Sequence, residues 1–209
     1  MMLRLEIKNT VIEIRASFFL VITFMLLICD NVIVLISLFS SLIHECGHLI
    51  SMIALKENPQ RLLFSASGLR IDRKCRPCLS FSGEIIIALS GVGVNLIISL
   101  CAYLIYIFSH KELFLAVCAV NLVIASFNLL PVESLDGARG LWFILCRRIP
   151  EESAQEIITD VSIVTTVLLI IFFCVTVYLR MANPSLVVVI IYLVILLINR
   201  IFQLKKSAI

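Results

Sequence analysis

The chain has 209 residues, 61% of them hydrophobic and only 15% charged, and its mean hydropathy is +1.12. An ordinary globular domain is about 45–50% apolar and about 25% charged, so composition excludes a soluble domain of this length, a disordered chain and a collagen-like one. The eight cysteines lie mostly in or beside apolar runs, where they act as small hydrophobes and imply no disulfide framework; the net charge of +3 implies no nucleic-acid partner.

An all-α integral membrane protein remains. A spanning helix needs about 20 apolar residues to cross about 30 Å of hydrocarbon. The first apolar region, residues 16–55, is long enough for two spans, and Cys29-Asp30-Asn31 breaks it into 16–29 and 32–55. Further spans are predicted at 83–108, at 112–130 with Pro131 closing it, at 161–179 and at 185–202. The expectation is six transmembrane helices in a single membrane-embedded domain over residues 1–209. Between the second and third spans, residues 62–72 hold two short extended runs around Ser67-Gly68, which predicts a small cytoplasmic β-hairpin. Residues 147–160 are charged and predict a solvated helix.

The basic residues test this layout independently, because cytoplasmic loops are enriched in Lys and Arg. With six spans, fifteen of the 17 basic residues fall on the side of the two termini and only Lys111 and Arg180 on the other. Both termini are therefore expected in the cytoplasm, with the chain in a bacterial cytoplasmic or forespore-type internal membrane. The residues after the first apolar run, Cys29-Asp30-Asn31-Val32, do not form a small-x-small cleavage site, so no cleavable leader is expected.

The second span carries His44-Glu45-Cys46-Gly47-His48. Histidines at i and i+4 share one helix face, the spacing at which two imidazoles bind one metal ion, and a glutamate after the first can serve as general base. A pair of core histidines satisfied by hydrogen bonds would be the structural explanation. Ionisable groups near mid-membrane depth are costly, however, and are functional candidates by default. Small residues around the motif, Ser40, Ser41, Gly47 and Ser51, allow close helix approach or a polar cleft.

A catalytic zinc site takes three protein ligands and leaves one position open. Asp136 is the leading third ligand: Pro131 ends the preceding helix, Gly137 permits a tight turn, and the charge pattern places this end on the side toward which the second span descends. His110 is a rival in a loop predicted on the opposite face, and Glu84 and Glu133 are alternatives without a motif. Cys75-Arg76-Pro77-Cys78 resembles half of a zinc knuckle but has no second pair beside it.

These two motifs, His44-Glu45-Cys46-Gly47-His48 and Asn128-x-x-Pro131-x-x-x-Leu135-Asp136-Gly137, resemble those of the site-2 protease family of intramembrane zinc metalloproteases. The short six-span layout is most similar to the branch typified by stage IV sporulation protein FB. The resemblance implies one Zn2+ per chain held by His44, His48 and Asp136, Glu45 as general base, and Asn128 positioning or stabilising the reacting carbonyl. It implies a membrane-protein substrate, such as a sigma-factor precursor or an anti-sigma factor. The chain departs from the family pattern at Ser134 and Ala138, where many relatives have proline and glycine. Ser90-Gly91-Val92-Gly93-Val94-Asn95 is similar to the family's small-residue segment. The chain leaves no room for a PDZ or CBS domain, so any gating is expected from a membrane regulatory partner. The unpaired edge of the 62–72 hairpin is a place where an unwound substrate could add as a strand. A metal transporter or sensor using the same histidines, or a catalytically silent regulatory subunit, is the competing expectation.

Overall fold

The computed structural model describes residues 2–7, 10–15, 31–57, 59–65, 68–73 and 79–179, together with Thr23 and Val194. The chain divides into two compact units, Met1–Leu129 and Leu130–Ile209.

The first unit begins with strands β1 (Met2–Ile7) and β2 (Thr10–Arg15), antiparallel neighbours with Ile7 opposite Thr10. Helix α1 (Asn31–Ala54) follows, then β3 (Pro59–Ser65) and β4 (Gly68–Arg73), also antiparallel. Strands β2 and β3 pair in parallel, so the four form one sheet in the order β1-β2-β3-β4. The sheet is thus larger than the two-stranded hairpin expected. The N-terminal strands have a readable cause: Leu3, Leu5 and Ile7 alternate with Arg4 and Glu6, the period of a strand. Across the parallel pair, Arg61 forms an ion pair with the buried Glu13.

The turn from α1 into β3 runs through Lys56, whose φ of 61° is left-handed. The Lys56 N–H donates to Ile53 O and the Glu57 N–H to Met52 O, which satisfies carbonyls a helix end leaves open. Helix α2 (Phe81–Ser109) starts at Ser80, whose hydroxyl accepts from the Gly83 N–H, and ends at His110 in a left-handed conformation. Helix α3 (Glu112–Asn128) completes the unit.

These three helices bury polar groups beside apolar ones such as Met52, Ile87 and Val92, and expose an apolar surface. Ser40, His44, His48, Asn95, Ser99 and Asn121 are buried, whereas Phe39, Ile50, Ile97, Leu100 and Val123 are exposed. A lipid-facing surface reverses the aqueous pattern in this way, because tails solvate the apolar face and polar groups must find partners between helices. The Asn121 Nδ2 donates to Ser40 Oγ at 2.9 Å, tying α3 to α1, and Ser99 Oγ donates to Cys118 O at 3.0 Å, tying α2 to α3.

In the second unit residues 130–135 form turns, followed by α4 (Asp136–Leu145) and α5 (Glu151–Tyr178). The Glu133 N–H donates to Ser162 Oγ and Gln155 Nε2 donates to Glu133 Oε1, both at 3.0 Å, which fastens the turn to α5. A crevice of about 250 Å³ lies there, lined by Glu133, Asp136, Arg139, Trp142 and Gln155 among others. Burial, then the nearby Glu151, pushes the Cys146 thiol up, away from the reactive thiolate.

Among the described residues three helices are long and apolar enough to cross a membrane: Val32–Ala54, Phe81–Ser109 and Glu151–Tyr178. Helix α3 has 17 residues and rises about 26 Å, short of the roughly 30 Å hydrocarbon core. The fifth expected span is part of a longer element. Residues 151–160 and 161–178 form one helix, because no Gly or Pro interrupts them. Helix α4 was not anticipated as a separate helix. The expected spans at 16–29 and 185–202, apart from Thr23 and Val194, lie outside the described residues, as do Cys75 and Cys78.

Candidate metal centre

His44 and His48 occupy the middle of α1, facing α2, and are 5% and 8% exposed. Their spacing of four residues places the rings on one face, with centroids 4.9 Å apart and planes crossing at 81°. Their Nε2 atoms face one another at 3.2 Å.

The room for this arrangement comes from glycine. A Cβ at Gly91 of α2 would lie 2.5 Å from His48 Nε2 and 2.7 Å from His44 Nε2. A Cβ at Gly47 would lie 2.9 Å from the Ser90 carbonyl oxygen and 3.1 Å from the Gly91 Cα. The two helices therefore meet backbone to backbone beside the rings, a contact that only these two glycines allow.

The tautomer of His48 is fixed by its surroundings. Its Nδ1 lies 2.7 Å from the carbonyl oxygen of Ile87. A carbonyl only accepts, so Nδ1 carries the hydrogen and Nε2 is the nitrogen that faces His44. The Nε2–Nε2 separation of 3.2 Å can be compared with the edge of a tetrahedral site. With bonds of about 2.0–2.1 Å, two nitrogens on one zinc lie about 3.3 Å apart. The pair fits a metal ion of this kind.

Glu45 lies between the two histidines in the sequence and is half-buried on α1. Asn128 is the last residue of α3, and its Nδ2 donates to Ile124 O at 3.0 Å. Asp136 is the first residue of α4 in the second unit. His110 is nineteen residues beyond Gly91 on α2, about 28 Å along the helix, which removes it as a ligand alongside His44 and His48. Glu133 is hydrogen-bonded to Gln155, and Glu84 lies in the first turn of α2. Ser90, Ser51 and Ile87 surround His48, and none was singled out for this from the sequence. Their relation to the histidine depends on the register between two helices, which no single-helix periodicity carries.

A solved structure described as "Site-2 Protease from Methanocaldococcus jannaschii" matches with a TM-score of 0.63 over 96% of this chain and 94% of that one, at 22% identity. The chain has the site-2 protease fold. The model of peptidase family M50 matches residues 108–169, a segment holding Asn128, Pro131 and Asp136. No curated protein matches the chain. The fold match thus extends over 96% of the chain, whereas the family match covers the later motif.

Proposed function

We propose that the protein is an intramembrane zinc metalloprotease that cleaves a transmembrane or membrane-associated protein near the cytoplasmic face. The observation that carries the reading is the His44–His48 pair, two buried imidazoles with Nε2 atoms 3.2 Å apart on a membrane-spanning helix that also carries Glu45.

One Zn2+ per chain would be held by His44 and His48, with Asp136 as the third ligand. When bound, zinc supplies a Lewis acid that polarises the scissile carbonyl and lowers the pKa of water. Glu45 takes the proton of the attacking water and returns it to the leaving amine nitrogen. Asn128 spends one Nδ2 hydrogen on Ile124 and keeps a second, which can be donated to the charge developing on the carbonyl oxygen. The apolar exterior of α1, α2 and α3 supports a membrane-embedded site, so a helical substrate must unwind before its peptide bond is open to attack.

The substrate class this reading favours is a membrane-tethered regulator, a sigma-factor precursor or an anti-sigma factor. The enzyme would belong to the sporulation-type branch, lie in a bacterial cytoplasmic or forespore-type membrane with both termini cytoplasmic, depend on a membrane regulatory partner and use no nucleic acid. A transporter or a silent subunit has no task for Glu45. Purified protein incubated with such a substrate tests the reading: chelation should abolish cleavage and zinc should restore it, whereas cleavage that survives metal removal would overturn it.

A further inference from the structure

The hydroxyls around His48 form a closed set. Ser90 Oγ lies 3.3 Å from His48 Nδ1 and 2.8 Å from the Ile87 carbonyl oxygen that Nδ1 approaches. Ser51 Oγ lies 3.0 Å from Ser90 Oγ and donates to the main-chain carbonyl of His48 itself at 2.8 Å. Ser51 is on α1 and Ser90 on α2. The set therefore runs from the His48 ring to α2, across to Ser51, and back to the His48 backbone.

Counting hydrogens limits the possible arrangements. Ser51 has one hydroxyl hydrogen, and the His48 carbonyl takes it. Ser51 can then only accept in its contact with Ser90. The Ile87 oxygen already accepts from His48 Nδ1 and, in the α-helical pattern, from the Gly91 amide. The Ser90 hydroxyl can donate to the Ile87 oxygen at 2.8 Å or to Ser51 Oγ at 3.0 Å, and either way a Ser90 lone pair is left for the Nδ1–H of His48. The imidazole hydrogen then has a main acceptor in Ile87 and a flanking one in Ser90.

We propose that Ser90 and Ser51 are positioning residues for the metal centre: acting as one unit, they hold the His48 ring in its Nδ1–H form with Nε2 aimed at the ion. The proposal rests on the reading of His44 and His48 as metal ligands. A carbonyl alone fixes the tautomer but leaves the ring free to rock about the Nδ1–O line. Ser90 flanks that line, and Ser51 ties Ser90 to the backbone from which the ring projects. Partners of this kind orient ligating histidines, and their loss typically costs 10–100-fold in metal affinity.

The test uses the full chain in detergent or lipid discs and measures Zn2+ and Co2+ affinity by competition with a chromophoric chelator, together with the cobalt absorption spectrum. Ser90→Ala should weaken binding about tenfold and shift the cobalt bands. Ser51→Ala should do the same to a smaller extent. The double variant should be scarcely weaker than Ser90→Ala, since both remove one unit. Ser90→Thr, which keeps the hydroxyl, should restore affinity. Unchanged affinity and spectrum in both alanine variants would overturn the proposal, as would losses in the two that simply multiply. If Ser90→Ala does not accumulate as folded protein, Ser51→Ala and Ser51→Thr carry the same comparison. A wild-type chain that takes up no cobalt, or one whose uptake is indifferent to His48→Ala, would instead sink the underlying metal-site reading.

Discussion

Gly91 stands where no side chain fits against His48: a Cβ there would lie 2.5 Å from the imidazole Nε2. The neighbours are ring atoms held on a packed helix, so the clash would be relieved by moving the rings or separating α1 from α2. Alanine is otherwise the better helix former, by about 1 kcal/mol. Gly91→Ala should therefore leave an inserted, helical protein whose zinc content falls from about one per chain toward zero. Metal analysis of the purified variant checks this, and full zinc occupancy would contradict the placement of α2 against the histidines.

Two buried asparagines separate a working interhelical bond from an unpaired amide. The Asn121 Nδ2 donates to Ser40 and to Val117, whereas among the described residues neither amide atom of the fully buried Asn95 has a partner. Asn121→Leu should lower the thermal midpoint, by an amount equivalent to about 0.6–2 kcal/mol. Asn95→Leu, similar in volume, should leave the midpoint unchanged or raise it, because it removes an unsatisfied group. Equal losses in the two would contradict the contrast.

Strand β3 lies between β2 and β4, so among the described residues the edges of the sheet are β1 and β4. If an unwound substrate adds to β4, its outward N–H groups are what it meets. Neighbouring residues in such a strand turn their N–H groups to opposite sides. Of Leu69→Pro and Arg70→Pro, one should damage pairing with β3 and the other only the outer edge. The outer-edge variant should keep its zinc yet cleave a helical substrate far less than a short unstructured peptide. Equal loss on both substrates would give the edge a supporting role alone.

How much of this could be read in advance differs by feature. The His44–His48 pair was legible because the i, i+4 rule is local to one helix, and the end of α3 was legible to within two residues because Pro131 follows it, the expected end being residue 130 and the observed one Asn128. The strand period of Leu3, Leu5 and Ile7 was also on view, but six residues bounded by charge read equally well as a basic tail. What makes them a sheet edge is the parallel pairing of Val11–Ile14 with Arg61–Phe64, a contact across some fifty residues that no local pattern encodes. A helix was expected over residues 147–160, but its continuity with residues 161–178 was masked by its charged turns, where hydropathy stops but helix propensity does not.

The proposed orientation can be tested through the sheet, which joins Met2–Ile7 and Thr10–Arg15 to Pro59–Ser65 and Gly68–Arg73 and so keeps these strands together on whichever side they lie. The expected excess of basic residues on the cytoplasmic side puts the sheet there. In intact cells carrying variants with few cysteines, Cys75 and Cys78 should be shielded from an impermeant thiol reagent and a cysteine at position 110 should be labelled. The reverse pattern would place the Asp136 turn on the wrong face for the proposed cleavage.

The most direct test of the central claim is the zinc content and proteolytic activity of Glu45→Gln measured on the same preparation. The base would be gone while the imidazole ligands stay in place, so the variant should hold about one zinc per chain and cleave no substrate, whereas His44→Ala and His48→Ala should lose both. A Glu45→Gln protein that still processes substrate at close to the wild-type rate would contradict the assignment of this helix as the heart of a metalloprotease.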